Sequence, residues 1–170
     1  KDIIDWIWQD TIWKTENITQ LTTNGIELGA LIKPNQLWNI KFWKKMTADY
    51  TYLDMQKEDS DIQSKYALNN LRHQLNIALH FELYKNLSLQ IQSSYKDRLG
   101  SYQSYYFKNG SYVDHPYEDF WSIHAKISYH YQQMLVYLEA NNLSDVKTVE
   151  LGVPQPGIWI LGGINYQLML

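Results

Sequence analysis

Three histidines, His80, His124 and His130, carry the side chains that most invite a metal ion, and their spacing argues against one. They fall on two alternating segments, with no cysteine anywhere in the chain and no paired carboxylates beside them. His124 and His130 are six residues apart on one segment, about 20 Å in an extended chain, too far to share an ion. Lining a polar surface is then their plain role, and no metal or other cofactor is expected. Serines, histidines and aspartates are plentiful enough to assemble a hydrolytic triad on paper. None sits in a Gly-x-Ser-x-Gly elbow that would expose a nucleophile, and no glycine loop is built to cradle a phosphate. Zero cysteine also excludes thiol nucleophiles, thiolate zinc sites and disulfides. The chain reads as a non-enzyme.

The richer chemistry lies in residues 99–119, LGSYQSYYFKNGSYVDHPYED, with Tyr102, Tyr105, Tyr106, Tyr112 and Tyr117 around an expected tip at Asn109-Gly110. Tyrosine offers a broad, stiff contact area with a polar end, which suits capture of a ligand or sugar at a surface. Tyr102, Tyr105, Tyr106 and Tyr112 are therefore the candidate ligand-binding residues. The competing reading gives some of them to strand tips and an outer aromatic girdle.

The elements that hold these residues follow from the whole 170-residue chain. Its 45% hydrophobic and 15% aromatic content excludes a disordered tail, and its length allows one domain. A net charge of −3 with no basic run along the sequence argues against a nucleic-acid partner. Mean hydropathy of −0.45 argues against a bundle of membrane helices. Residues 151–170 lack charge, but Gly152, Pro154, Pro156, Gly157, Gly162 and Gly163 interrupt them, so they form no spanning helix. The chain opens on Lys1-Asp2 without a secretory leader, which suggests a removed leader or a piece of a longer protein.

Period two, the period of a strand, governs the hydrophobic pattern. In FWSIHAKISYHY, Trp121, Ile123, Ala125, Ile127, Tyr129 and Tyr131 alternate with Ser122, His124, Lys126, Ser128 and His130. In HQLNIALHFEL, Leu75, Ile77, Leu79, Phe81 and Leu83 oppose Gln74, Asn76, Ala78, His80 and Glu82. LSLQIQSSYK repeats the pattern, and the last segment sets Ile158, Ile160, Ile164, Tyr166, Leu168 and Leu170 on one side. Weaker alternation marks strands near 2–8, 20–32, 45–54 and 133–142, about eight strands in all. Links around 84–86 and 131–133 are tight; those around 55–68, 99–119 and 143–156 are long, and 9–19 is intermediate. Residues 33–44, with Trp38 and Trp43, are an exception on the short-turn side. All four prolines lie in connectors, where a missing N–H breaks no ladder. A meander with short turns at one end and long loops at the other is the plan of a bacterial outer-membrane barrel.

A soluble β-sandwich or lipocalin also has alternating strands, with the apolar face turned inward. Two features favour the membrane plan. The polar faces are rich in Ser, Gln, Asn and His rather than Lys and Glu. The seven tryptophans, Trp6, Trp8, Trp13, Trp38, Trp43, Trp121 and Trp159, sit at strand ends or beside connectors, where interface girdles place them. His73 then falls on the lipid side, near the interface.

Specific strings add a resemblance. ENITQLTTNGIELGALI followed by MTADYTYLDMQ resembles adjacent barrel strands of TonB-dependent outer-membrane transporters, through Asn17, Gly25, Ile26, Glu27, Tyr50, Thr51, Tyr52, Leu53 and Asp54. YLEANNLSD resembles that family's penultimate strand, ending here in Asn142, Leu143, Ser144 and Asp145, without the family's usual aromatic. VPQPGIWILGGINYQL resembles its last loop and closing strand, and Gly163, Tyr166 and Leu168 resemble its barrel-closure and insertion signal. The flavour is nearest to the Bacteroides type.

The resemblance implies an all-β fold: an antiparallel meander of about eight transmembrane strands, the C-terminal part of a barrel of about 22 strands. It implies a plug domain and N-terminal strands outside residues 1–170, and a Gram-negative outer-membrane location. Implied partners are outer-membrane lipid, the TonB complex acting through the plug, and an unidentified small ligand such as a metal chelate, cobalamin or glycan. The runner-up is a self-contained eight-stranded barrel with a structural or adhesive role.

Overall fold

The computed structural model describes residues 3–9, 12–18, 21–57, 71–108, 110–150 and 152–168. Their strands in chain order are β1 (Ile3–Gln9), β2 (Ile12–Ile18), β3 (Leu21–Ile32), β4 (Trp43–Lys57), β5 (Leu71–Tyr84), β6 (Leu87–Arg98), β7 (Ser101–Tyr106), β8 (Ser111–Pro116), β9 (Phe120–Tyr131), β10 (Met134–Asn141), β11 (Val149–Glu150), β12 (Val153–Pro154) and β13 (Trp159–Tyr166). One helical turn, α1 (Pro34–Leu37), lies between β3 and β4. Among the described residues no helix is long and apolar enough to cross a membrane, which says nothing of strands.

Seven strands form one antiparallel sheet in the order β13-β10-β9-β6-β5-β4-β3, a meander in which each strand pairs with its predecessor in the sheet. The all-β, antiparallel expectation holds. The segment near 2–8 does not join the meander: β1 pairs with β2, so a strand replaces most of the expected 9–19 connector. Residues 99–119 are a second hairpin, β7 with β8, rather than an open loop. Cross-strand pairing satisfies their backbone groups, which a long coil at a surface would leave to water. The tip residue Asn109 and most of the 55–68 connector lie outside the described residues.

Alternation dictates what each face presents. One register row crosses the full sheet as Ile32, Met46, Leu79, Ile91, Ala125, Ala140 and Ile160. The same row one residue along, on the opposite face, reads Leu31, Thr47, Ala78, Gln92, His124, Asn141 and Trp159. The apolar face is bordered by rings at both ends. Tyr50, Tyr95 and Trp121 stand in register toward the long loops, and Tyr129, Tyr131 and Tyr166 toward the short turns.

No second layer covers this face among the described residues. Ile26, Leu28, Leu138, Ile160 and Ile164 are all more than half exposed. The buried described residues are Ile7, Pro34, Asn141 and Asn142, so two of the four are amides. A water-soluble sandwich would invert that proportion.

The turns obey local chemistry. The β9–β10 hairpin turns at Gln132-Gln133, where Gln132 takes φ 51°, the sign that two-residue hairpin loops require. Pro34 opens α1, and the Trp38 N–H donates to its carbonyl at 2.9 Å. The exceptional connector 33–44 is thus a helical turn followed by a β-bulge at Trp43/Lys45. Gly163 lies opposite Tyr137, whose ring occupies the space a side chain would need. The closing strand ends at Tyr166, leaving Leu168, 74% exposed, beyond it.

Candidate functional site

The long-loop end of the sheet gathers a cavity of about 260 Å³ between the end of β6, the base of the β7–β8 hairpin and the 146–150 segment. Strand direction places its parts: β6 ends in Lys96 and Arg98 there, and β9 begins there at Phe120. The third wall arrives from far along the chain. Glu150 accepts a 2.6 Å charged hydrogen bond from Lys96 Nζ, and both side chains are less than a third exposed. Because β9 lies between β6 and β10, the 142–158 segment must cross two strand spacings, about 10 Å, to make this bond.

A knot of amides anchors that crossing. Asn142 takes φ 52° at the end of β10 and is 8% exposed. Its Nδ2 donates to the carbonyls of Val146 (3.0 Å) and Pro156 (3.1 Å), while its Oδ1 accepts from the Val146 N–H and the Ser144 hydroxyl, each at 3.2 Å. Beside it, Asn141 Oδ1 lies 3.0 Å from His124 Nδ1. Asp145 adds a second tie by accepting from Lys147 Nζ (2.7 Å) and the Ile158 N–H (3.2 Å). Those two donors, Lys147 first, hold its carboxyl below the usual aspartate range. Gly157 lies against the ends of the Asp145 and Lys147 side chains, which a side chain at 157 would have to push aside.

The four candidate tyrosines do not form one cluster. Tyr102 lines the cavity, stacked on His115 (centroids 5.2 Å apart) and tilted against Tyr117 (5.5 Å). Arg98 lies 5.8 Å from the Tyr117 ring centre, and the Ser104 hydroxyl is 2.8 Å from His115 Nε2. Tyr105 and Tyr112 face each other on the opposite side of the hairpin, edge to face at 5.2 Å. Tyr106 shares the Tyr102 face but lies farther out, 51% exposed. Period two separates Tyr102 from Tyr105 in any strand. Sequence reading missed His115, Arg98 and the Lys96–Glu150 bond. The aromatic neighbours were visible in the string, but no local signal joins residues 54 positions apart.

The three histidines are likewise dispersed. His124 belongs to the amide knot, His80 pairs with Gln90 and Lys45 across the strands, and His130 stands at the turn end. A second hollow of about 200 Å³ on the polar face is lined by Gln90, Gln92, His124, Lys126 and Glu139, with Lys126 and Glu139 3.4 Å apart. Among the described residues no three His, Cys, Asp or Glu side chains come together as metal ligands. The arrangement offers stacking rings and both signs of charge at a sheet's end, which suits binding. A scan against protein-family models finds no match for the chain, and a search of curated proteins likewise finds none.

Proposed function

We propose that the chain is the C-terminal wall of a TonB-dependent outer-membrane transporter barrel. In this reading the apolar face meets lipid, the polar face lines the lumen, and the long-loop cavity belongs to the outer vestibule that admits a scarce small ligand. The chain itself performs no catalysis. Energy comes from the TonB complex pulling a plug that lies outside these 170 residues. One observation carries the proposal: an uncovered seven-strand face whose central register row is wholly apolar, set against a buried pair of asparagines. Water penalises that arrangement, whereas a bilayer stabilises it. Along β6 the band from Leu87 to Tyr95 spans about 27 Å before tilt, matching a hydrophobic belt of about 25 Å. The outer edges of β3 and β13 have no partner among the described residues, which favours a wall within a larger barrel over a self-contained eight-stranded one.

Adjacent residues of β6 supply the test. Ile91→Arg places a charge at the middle of the apolar face and is expected to cost about 2–4 kcal/mol in lipid, while Gln92→Arg on the other face costs under about 1 kcal/mol. Folding titrations of the full-length protein in vesicles measure both. Equal penalties would remove the membrane assignment.

A further inference from the structure

The short-turn end concentrates positive charge that the sequence disperses. Lys33, Lys41, Lys44, Lys45 and Lys85 come to it from two connectors and the start of β4, with Glu82 the acidic residue among them. Lys44 occupies that carboxylate at 2.6 Å. Lys33, Lys41 and Lys85 are exposed and have no acidic partner among the described residues. They span the ends of β3, β4 and β5, a width of about 10 Å. The Glu82 N–H donates to the Phe42 carbonyl at 2.7 Å, which fixes the connector against β5.

Rings sit directly beside this charge. Phe42 stacks on Phe81 at 6.2 Å, Trp43 lies 5.8 Å from Phe81, and Trp38 lies 6.4 Å from Trp43. Trp38 and Phe42 are nevertheless 58% and 55% exposed. Amphipathic rings at this level favour the boundary between acyl chains and headgroups, and lysine stems lie along apolar surface while the ammonium reaches outward. An exposed aromatic step and three lysines without acidic partners at the same end of the sheet are complementary to a phosphodiester held at the edge of hydrocarbon.

We infer that the turn end of β3, β4 and β5 is a binding surface for anionic glycerophospholipid headgroups, with Lys33, Lys41 and Lys85 on the phosphate and Trp38 and Phe42 in the interface. The inference rests on the membrane-wall reading. It adds a preference for charge in one leaflet, the leaflet at the short turns, which barrel geometry alone does not supply.

Spin-labelled lipids test it in the full-length protein reconstituted in phosphatidylcholine vesicles. Trace labelled phosphatidylglycerol is expected in the protein-restricted population at least about twofold more than labelled phosphatidylcholine. The triple variant Lys33→Gln, Lys41→Gln, Lys85→Gln should bring the ratio measurably closer to one, and the corresponding triple Lys→Arg variant should keep it. Selectivity that is absent in the parent, or unchanged in the glutamine variant, overturns the inference while leaving the membrane wall intact. Absence of any restricted population for either lipid overturns both.

Discussion

The two ends of the sheet handle charge in opposite ways. At the long-loop end, Arg72 bonds Asp97 at 2.7 Å, Lys96 bonds Glu150 at 2.6 Å, and Lys147 bonds Asp145 at 2.7 Å. The first pair ties β5 to β6, the second fastens the 146–150 segment to β6, and the third lies within the segment that follows β10. At the turn end two connections are tight turns, the longer 33–42 link is tied to β5 by a backbone bond from Glu82 to Phe42, and three exposed lysines have no acidic partner among the described residues. The contrast teaches that paired charge marks where chain must be positioned. Unpaired charge of one sign is left at the end to which we assign the headgroups.

The comparison breaks most readily at Asn142. Asn142→Ala removes four hydrogen-bonding contacts from a buried position and strains a left-handed backbone, so a loss of about 1–3 kcal/mol is expected. Faster amide exchange at Val146 and Ile158 would show that the crossing segment, rather than the sheet, has loosened. If exchange rises equally in β5, the knot is not local. The Lys96–Glu150 bond comes next. Lys96→Glu and Glu150→Lys should each free the segment, and the double exchange should recover about 0.5–1 kcal/mol of coupling for a pair less than a third exposed. A double variant no better than the singles would deny the bond any role in closing the cavity. The turn end gives the smallest effect. Gln132→Gly relieves a left-handed residue but adds chain entropy, leaving stability within about 0.5 kcal/mol of unchanged. A larger loss would show that the Gln132 side chain contributes more than backbone geometry.

The sheet was legible because alternation is written in each strand separately. Seven segments with period two, the weakly alternating LTTNGIELGALI of β3 among them, became the seven meander strands. The number of strands in the meander was less legible, because IIDWIWQ and IWKTENI carry strand character without stating their partners. Pairing depends on which edge is free, and that is a property of the assembled sheet. Tyr102 was legible as a binding candidate, while its separation from Tyr105 and Tyr112 required recognising 99–119 as a hairpin. Asn142 was visible only as part of a resemblance. Its physical work, four contacts made from a left-handed turn, appears once residues 144, 146 and 156 fold back upon it. The lysines of the turn end were invisible as a group, since 52 positions separate Lys33 from Lys85.

Gly163 beneath Tyr137 has a consequence for how the final strand finds its place. Sliding β13 by one residue along β10 would exchange its two faces, turning Ile160 and Ile164 away from the apolar side. Sliding by two would bring Leu161 or Asn165 under the ring, where a side chain has no room. The tyrosine and the glycine therefore work like a key and its notch, and Lys126, 4.1 Å from the ring centre, holds the key from the other side. A bulky residue at 163 should displace the strand along its neighbour while β content persists, so cross-linking between paired positions would report the fault where a melting curve would miss it.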